Sequence, residues 1–568
     1  MKSVYAVPGE GITDGRLVNL WSGNLNGKEW LLGVCGGFLR RYDFDDMFSR
    51  KIAELKPADG VDPFLFGFDG KVFVLTGKDF YFWDGTFDDI TGNANFEEIN
   101  TNNAYIPLVS VSIPPGQGQS GTLLEPVNTL TTYQRCWISP DGVGNTFQLP
   151  CLDQNSLQTR ITNRITGELV STTQYKQHQG GVIKFNSVPE EGINTYEIRF
   201  SPKGSSTIGI PIYKVTMAEL YNGVNDSRVF YYGDSTNRIY YSDVDYNGTP
   251  RADYVPATNF IDIGESNTPV TCLVRNYSRL LAYKTDSVYS IQYGTVTMPD
   301  GTQSATFYAT PVNKVIGNEA KGQVRIVENT PVSLCQKNLY EWNNPNGYNS
   351  AVSVDERQAK RISDNVYYTI KNFDFSKCYC FNDQVHQEYY ICYDKKAIVW
   401  NYAVDAWYYY TDFDVTSMVI WDGELYAGDS LGRLNHISND YRTDNGVEFK
   451  CYWESGAEPF SKEFMRKYSS ALWIVVKPEL RSEIFVTVET DRKSNNAIKS
   501  VTSSLFTFAN ADFRKWSFNT NRKPKTNRLK IKAKKFSYYK LILSVEGTNT
   551  TATVIAADMK VRYTGYAK

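Results

Sequence analysis

A chain of 568 residues is too long for one small core, and a formal net charge of −2 excludes a bulk pull toward nucleic acid or an anionic membrane. Aromatic residues make up 14%, with 40 Tyr and 30 Phe against 7 Met. Together with abundant Asn, Asp, Gly and Thr, that balance favours strands and turns over helices, so two to four all-β domains are expected.

The nine cysteines are odd in number and form no CxxC pair, which signals neither a disulfide frame nor a zinc site. They read as small buried apolar residues. The opening MKSVYAVPGEGITDG has no apolar signal segment, and no later run approaches a membrane span. The expectation is a soluble protein made in a reducing cytoplasm, in which triplets such as Asn247-Gly-Thr249 carry no glycan meaning.

Residues 1–20 read as an extended N-terminal arm. From Asn26 a unit begins that recurs: NGKEWLLGVCGGFLRRYDFDD is a turn, a strand, a Gly-Gly corner and a second strand. DGKVFVLTGKDFYFWDG repeats it from Asp69. Later copies are SRVFYYGDSTNRIYYSD from Ser227, SRLLAYKTDSVYSIQYG from Ser278, TPVSLCQKNLYEWN from about Thr330, HQEYYICYDKKAIVWNYAVDAWYYYT from His386 and DGELYAGDSLGRLNHI from Asp422. Starts lie roughly 35–55 residues apart once 104–212 is set aside, and that period predicts a β-propeller of six to eight blades.

The interval 104–212 opens Pro- and Gly-rich and continues in short strands, as an inserted β-sandwich does. Residues 21–103 then hold the first blades and 213–444 the rest. Beyond 445, strands such as SSALWIVVKP, SEIFVTVETD and NRLKIKAKK are longer and alternate cleanly, predicting a C-terminal β-sandwich over 445–568.

Chemistry-bearing patterns are few. Gly116-Gln-Gly118-Gln-Ser-Gly121 matches a dinucleotide fingerprint in letters only, because Pro114-Pro115 precede it and no amphipathic helix follows. Asp243, Asp245 and Asn247 ahead of Gly248 match the front of a calcium loop. Its twelfth position is Tyr254, with Asp253 one place early, and the same residues suit a plain strand corner. SPDGVGNTF from Ser139 is one residue too long for the turn of sialidase-type propellers. With only His178, His386 and His436, and no G-x-S-x-G turn, no catalytic constellation forms. A non-enzyme without cofactor or metal is expected.

From Arg514 to Lys540 the chain is strongly basic and has no acid. Arg522, Lys523, Lys525, Arg528, Lys530, Lys532, Lys534 and Lys535 are its candidate contact residues for a partner or DNA. In NRLKIKAKK, period two places Leu529, Ile531 and Ala533 toward a core and Lys530, Lys532 and Lys534 on the other side. Such a row can contact phosphates, dock on an acidic protein surface or guard an edge strand from aggregation.

The segment RIYYSD…TNFIDIG…NTPVTCLV…SRLLAYKTDSVYSIQ resembles virion propeller proteins of tailed bacteriophages, through Tyr241-Ser242, Asn259–Gly264, Val270–Leu273 and Leu280–Tyr289. WSFNTNRKPKTNRLKIKAKKFSYYKLIL looks like their closing sandwich. Nearest in kind are the tail hub or nozzle proteins of short-tailed phages, including their packaged-DNA stabilisation proteins. That resemblance implies a structural virion protein in the tail, made in the host bacterial cytoplasm. It implies a homo-oligomeric ring, typically of six copies, below the portal and adaptor. Such a ring lines the exit channel for packaged double-stranded DNA and supports tail fibres or spikes, without inserting in a membrane. The insert at 104–212 has no counterpart in the pattern. A receptor- or carbohydrate-binding propeller of a tail appendage, and a propeller glycan hydrolase, are the alternative classes.

Overall fold

The structure, a computed structural model, describes residues 2–5, 15–43, 48–119, 121–204, 210–222, 227–297, 303–343, 358–438, 441, 443–448, 450–460, 462–479, 482–492, 499–503, 505, 520–546 and 550–566. Half of the N-terminal arm expected over 1–20, residues 1 and 6–14, thus lies outside the described residues. The fold is all-β: among the described residues, helix is confined to single turns such as Ile210–Tyr213 and Tyr367–Ile370. The chain divides into two compact units, one of residues 5–434 and one of residues 1–4 with 435–568.

In the larger unit, six antiparallel meanders of four strands follow one another. The first is Leu17–Leu25, Lys28–Cys35, Phe38–Asp43 and Phe48–Glu54, and the second Phe64–Phe68, Lys71–Leu75, Phe80–Phe87 and Ala94–Glu98. After the insert come Met217–Leu220, Val229–Tyr232, Arg238–Tyr241 and Phe260–Asp262, then Val270–Asn276, Arg279–Lys284, Val288–Thr297 and Gln303–Asn313. The fifth is Arg325–Val327, Thr330–Cys335, Asn338–Asn343 and Gln358–Arg361, and the sixth Tyr379–Asp383, Glu388–Tyr393, Lys396–Asn401 and Ala406–Thr411. The hairpin Ser417–Trp421 with Glu424–Gly428 follows.

Turn chemistry sets these hairpins. Asn26-Gly27, Asp69-Gly70 and Asp422-Gly423 all have positive φ at both positions, the mirror-image turn whose twist matches that of paired strands. Asp394 and Lys395 adopt it without glycine, at φ 46° and 57°. The meanders then bury their faces against each other. Trp30 and Val34 of the first share a core with Val72 and Trp83 of the second, and Phe66 and Phe73 share another with Val229 and Tyr231 of the third. Leu334 and Leu339 pack likewise with Tyr389 and Ile391.

Successive meanders are neighbours through their first or second strands. Leu17–Leu25 contacts Phe64–Phe68, which contacts Met217–Leu220, which contacts Val270–Asn276. Val270–Asn276 meets Thr330–Cys335, Arg325–Val327 meets Tyr379–Asp383, and Tyr379–Asp383 meets Ser417–Trp421. Ser417–Trp421 in turn contacts Leu17–Leu25. Polar side chains stitch these neighbours together: Lys321 Nζ donates to the Gly233 carbonyl at 3.1 Å, Arg325 Nε to Cys380 at 3.0 Å and Asn382 Nδ2 to Ile326 at 2.7 Å.

Between the second and third meanders stands the insert, two sheets around one core that includes Ile138, Phe147, Ile183 and Phe200. Its five-stranded sheet pairs Leu108–Ile113 with Gln134–Ile138 in parallel, and the other pairs are antiparallel. Asn128 ties it to the rest: Nδ2 donates to the carbonyls of Tyr105 and Asp253, both at 2.8 Å, while Oδ1 accepts from Val255 N at 3.0 Å. Beside it, Asp253 Oδ2 accepts from Tyr105 N at 3.0 Å, and burial raises this carboxyl's pKa against the lowering effect of Arg251. A carboxyl raised on folding costs stability above its folded pKa and costs nothing below its unfolded value of about 3.9. Asp253→Asn keeps an acceptor for Tyr105, so it is expected to raise Tm at pH 7.5, and that gain should vanish when melting is repeated below about pH 3.9.

The smaller unit places Lys2–Tyr5 next to Leu434–Ile437 in sheet order. Its main body holds two sheets. Cys451–Glu454, Tyr539–Val545, Glu483–Thr490 and Lys499–Thr502 form one, and Lys525–Phe536, Met465–Lys477 and Thr553–Tyr566 the other. Leu472, Ile474 and Val476 of the second pack with Val486, Val488 and Leu541 of the first. Seven cysteines are buried and Cys151 is half-buried, but Cys451 is exposed because it lies on a strand exposed throughout.

Candidate functional site

The basic segment forms one strand, Lys525–Phe536, at an edge of the three-stranded sheet. Its pattern of exposure follows the chemistry of the side chains. Arg528, Lys530, Lys532 and Lys534 are exposed, Leu529 and Ile531 are half-buried toward the core, and Ala533 and Phe536 are buried. Arg522, Lys523 and Lys525 are exposed at its start, and Lys535 near its end. Arg514 and Lys515 lie outside the described residues.

Pairing brings in residues from elsewhere in the chain. Tyr468 on the central strand stands opposite both Lys534 and Arg562, and residues directly opposite share a sheet face. Trp473 stands opposite Arg528 and Asp558, with the Arg528 guanidinium 5.8 Å from its ring centroid. Lys560 and Arg562 alternate in exposure with Met559 and Val561. The outcome is an open sheet face with cations on both outer strands, tyrosine and tryptophan between them, and Asp558 as a counter-charge. Lys560, Arg562, Tyr468 and Trp473 escaped sequence reasoning. The alternation in MKVRY was its visible signal, but only strand pairing says which face it joins.

Other sequence candidates resolve into local structure. Asp243 accepts from Arg228 at 2.6 Å and Asn259 Nδ2 at 2.9 Å. Asp245, with 4% of its side chain exposed, accepts from the amides of Asn247 and Thr249 at 2.9 Å each and faces Arg251 at 3.5 Å. Both carboxylates of the calcium-like loop are thus engaged by arginines and amides as a corner, and Asn247 follows them as a turn residue. Among the described residues, no group of three His, Cys, Asp or Glu could hold a metal ion. Gly116 bridges Phe147 in a loop, not a helix start. Asp141 caps the amides of Val143 and Gly144 at 2.9 and 2.7 Å. His386 Nδ1 lies 2.7 Å from Asp383, and His436 Nδ1 2.7 Å from the Tyr441 hydroxyl. His178 lies on the insert strand Tyr175–His178, apart from both.

The residues behind the phage-like pattern form a crossing between the third and fourth meanders. Ser242 Oγ accepts from Val229 N at 2.9 Å, and Asn259 accepts through its carbonyl from Tyr241 N at 3.1 Å. Gly264 takes φ +56°, where a Cβ would lie 2.3 Å from the Tyr289 hydroxyl. Lys284, buried at the end of Arg279–Lys284, donates to the carbonyls of Ile263 and Glu265 on either side of that glycine.

No family model and no curated protein matches the chain. Solved structures similar to parts of it include the S. cerevisiae core factor, at TM-score 0.26 and 10% identity over 59% of this chain and 57% of that one. The chain therefore spans little more than half the length of that protein. Two extracellular domains of hybrid two-component systems from B. thetaiotaomicron match at TM-score 0.20 each. Their identities are 10% over 94% of this chain and 86% of that one, and 8% over 95% and 97%. Scores this low carry no argument about fold or function. Among the described residues, no helix is long and apolar enough to cross a membrane.

Proposed function

We infer that the larger unit is a seven-bladed β-propeller and that the protein is a structural component of a phage tail, of the hub or nozzle kind. The observation that carries this reading is the crossing at Gly264. The residues that resemble the phage pattern act there as one device, with Lys284 holding the carbonyls of Ile263 and Glu265 and Tyr289 closing over the glycine. The propeller reading draws support from the succession of contacts between consecutive meanders that returns from Ser417–Trp421 to Leu17–Leu25.

In this role, copies of the chain assemble as a ring below the portal and adaptor, line the exit path of packaged double-stranded DNA and carry fibres or spikes. An outer strand with Tyr408, Tyr409 and Tyr410 all exposed, Tyr408 and Tyr410 on one face and Tyr409 on the other, offers aromatic surface of the kind that contacts between copies use. Catalysis has no part in this reading.

Electron microscopy and native mass measurement of the purified protein and of particles test it. A closed ring, or density at the tail of a virion, is the expected result. A stable monomer absent from virions would overturn it and direct attention to glycan binding. A second expected outcome concerns the basic strand: Lys530→Gln, Lys532→Gln and Lys534→Gln combined should weaken assembly or genome retention while the monomer melts as before, since all three side chains are exposed. Normal particles that retain their DNA would remove this strand from the interface.

A further inference from the structure

At one end of the basic face the sheet opens into a cleft of about 500 Å³, lined by Arg466, Tyr468, Lys534, Lys535, Thr564, Gly565 and Tyr566. Irregularities on both outer strands, facing the same stretch of the central strand, create it. On one side the register shifts between Lys467 opposite Phe536 and Tyr468 opposite Lys534. Lys535 is the extra residue, in the left-handed region at φ +54°. Consecutive strand residues normally point to opposite faces, and a bulge re-aims one of them. That is how two successive lysines come to line one cleft. On the other side the register shifts between Arg466 opposite Gly565 and Lys467 opposite Tyr563. Thr564 is extra there, and a Cβ on Gly565 would meet nothing within 4 Å.

The central strand keeps its alternation through this opening. Lys467 turns inward, fully buried, and donates to the carbonyls of Lys462 at 2.6 Å and Ser537 at 3.0 Å. Arg466 and Tyr468 therefore face the cleft. Among the described residues, no carboxylate lies within ion-pair distance of Arg466, Lys534 or Lys535. Tyr566 stacks on Phe464, with ring centroids 6.1 Å apart, yet remains 75% exposed.

Cations with no carboxylate at ion-pair distance among the described residues, beside an exposed ring that stacks on Phe464, suit an anionic group attached to a flat ring. Lys534 belongs both to the cleft and to the row Arg528, Lys530, Lys532, Lys534. Successive members of that row are spaced about 6.7 Å apart along the strand. That is the order of separation between neighbouring phosphates on an extended nucleic-acid strand, and aromatic rings on an open sheet are platforms for unpaired bases. The cleft is also of a size to take a nucleotide.

We propose that the cleft is a binding site for single-stranded nucleic acid. One phosphate sits among Arg466, Lys534 and Lys535, its base stacks on Tyr566, and the adjoining backbone runs along Lys532, Lys530 and Arg528. This site stands on the smaller unit's own geometry, so it does not depend on the tail reading and is tested without particles.

The test is fluorescence anisotropy of the full chain with a fluorescein-labelled thymidine 10-mer, a duplex of the same length, and heparin as competitor. The single strand is expected to bind more tightly than the duplex and to resist heparin. Tyr566→Leu should weaken the single strand by about 5- to 100-fold, as loss of one stacked base does, and leave the duplex unchanged. Arg466→Gln with Lys535→Gln should reduce the slope of log affinity against log salt by about 0.7, the value for one phosphate contact on a single strand. Should Tyr566→Leu lower Tm, the salt slope of the Arg466 and Lys535 variant decides alone, because both replaced groups are charged heads on the open face. Equal binding of single strand and duplex, insensitive to Tyr566, would mean a diffuse basic surface and overturn the proposal. Tighter binding of heparin than of the 10-mer, or no binding, would overturn it as well.

Discussion

Lys284→Met is expected to destabilise the larger unit by about 3 kcal/mol, read as an earlier midpoint in urea unfolding. The side chain is 1% exposed, yet it ends in an ammonium that donates to the Ile263 carbonyl at 3.1 Å and to the Glu265 carbonyl. Methionine fills similar space and donates nothing, so the carbonyl of buried Ile263 and that of exposed Glu265 both lose their partner. An unsatisfied buried group costs about 1–3 kcal/mol, and hydrogen bonds to a charged group lie toward the strong end. Against this stands the cost of burying the ammonium itself, which methionine removes. The carbonyl term wins at buried Ile263, because the φ of +56° at Gly264 and the Tyr289 ring against it fix the turn that holds this carbonyl inward. A shift below about 1 kcal/mol would mean that the crossing is held by packing alone.

Gly428→Val is the second large effect, about 3 kcal/mol or more, read by Tm and by proteolysis near residues 15–25. A Cβ at Gly428 would lie 2.7 Å from both Leu17 Cγ and the Leu17 carbonyl oxygen, and Leu17 is fully buried. Neither atom can retreat. Leu17 N donates to the Asp429 carbonyl at 3.0 Å, and the Leu17 carbonyl accepts from Ser417 Oγ at 3.0 Å and from Thr416 Oγ1. The added side chain must push the first strand of the unit away from its last hairpin. Early cleavage in that strand with a lowered Tm is the expected pair of results. Wild-type resistance and an unchanged Tm would show that this contact does not hold the unit together.

Hairpins were the most legible feature of the chain. Asn26-Gly27, Asp69-Gly70 and Asp422-Gly423 announce strand reversals through residues that tolerate positive φ, and each sits at a reversal. The period-two row of Lys530, Lys532 and Lys534 was equally readable, because alternation along a strand is local geometry. What lies across from a strand was not. Nothing near Leu108–Ile113 says that it pairs in parallel with Gln134–Ile138. Nothing near Asp243 says that Arg228 will take the carboxylate. The cleft is the clearest case: its lining comes from three strands and its cations from two of them, and Lys535 enters only because the register slips beside it.

By itself, then, the sequence determined the all-β character, the positions of tight turns and the side on which each alternating strand keeps its charges. These are settled within a few residues, by allowed φ values and by the two-residue repeat of the pleat. Tertiary structure alone decided which strands became neighbours, where the register broke and which distant cations met around Tyr468 and Tyr566. Those choices depend on burying many faces at once, and a pairing between residues a hundred positions apart leaves no mark on the neighbours of either one.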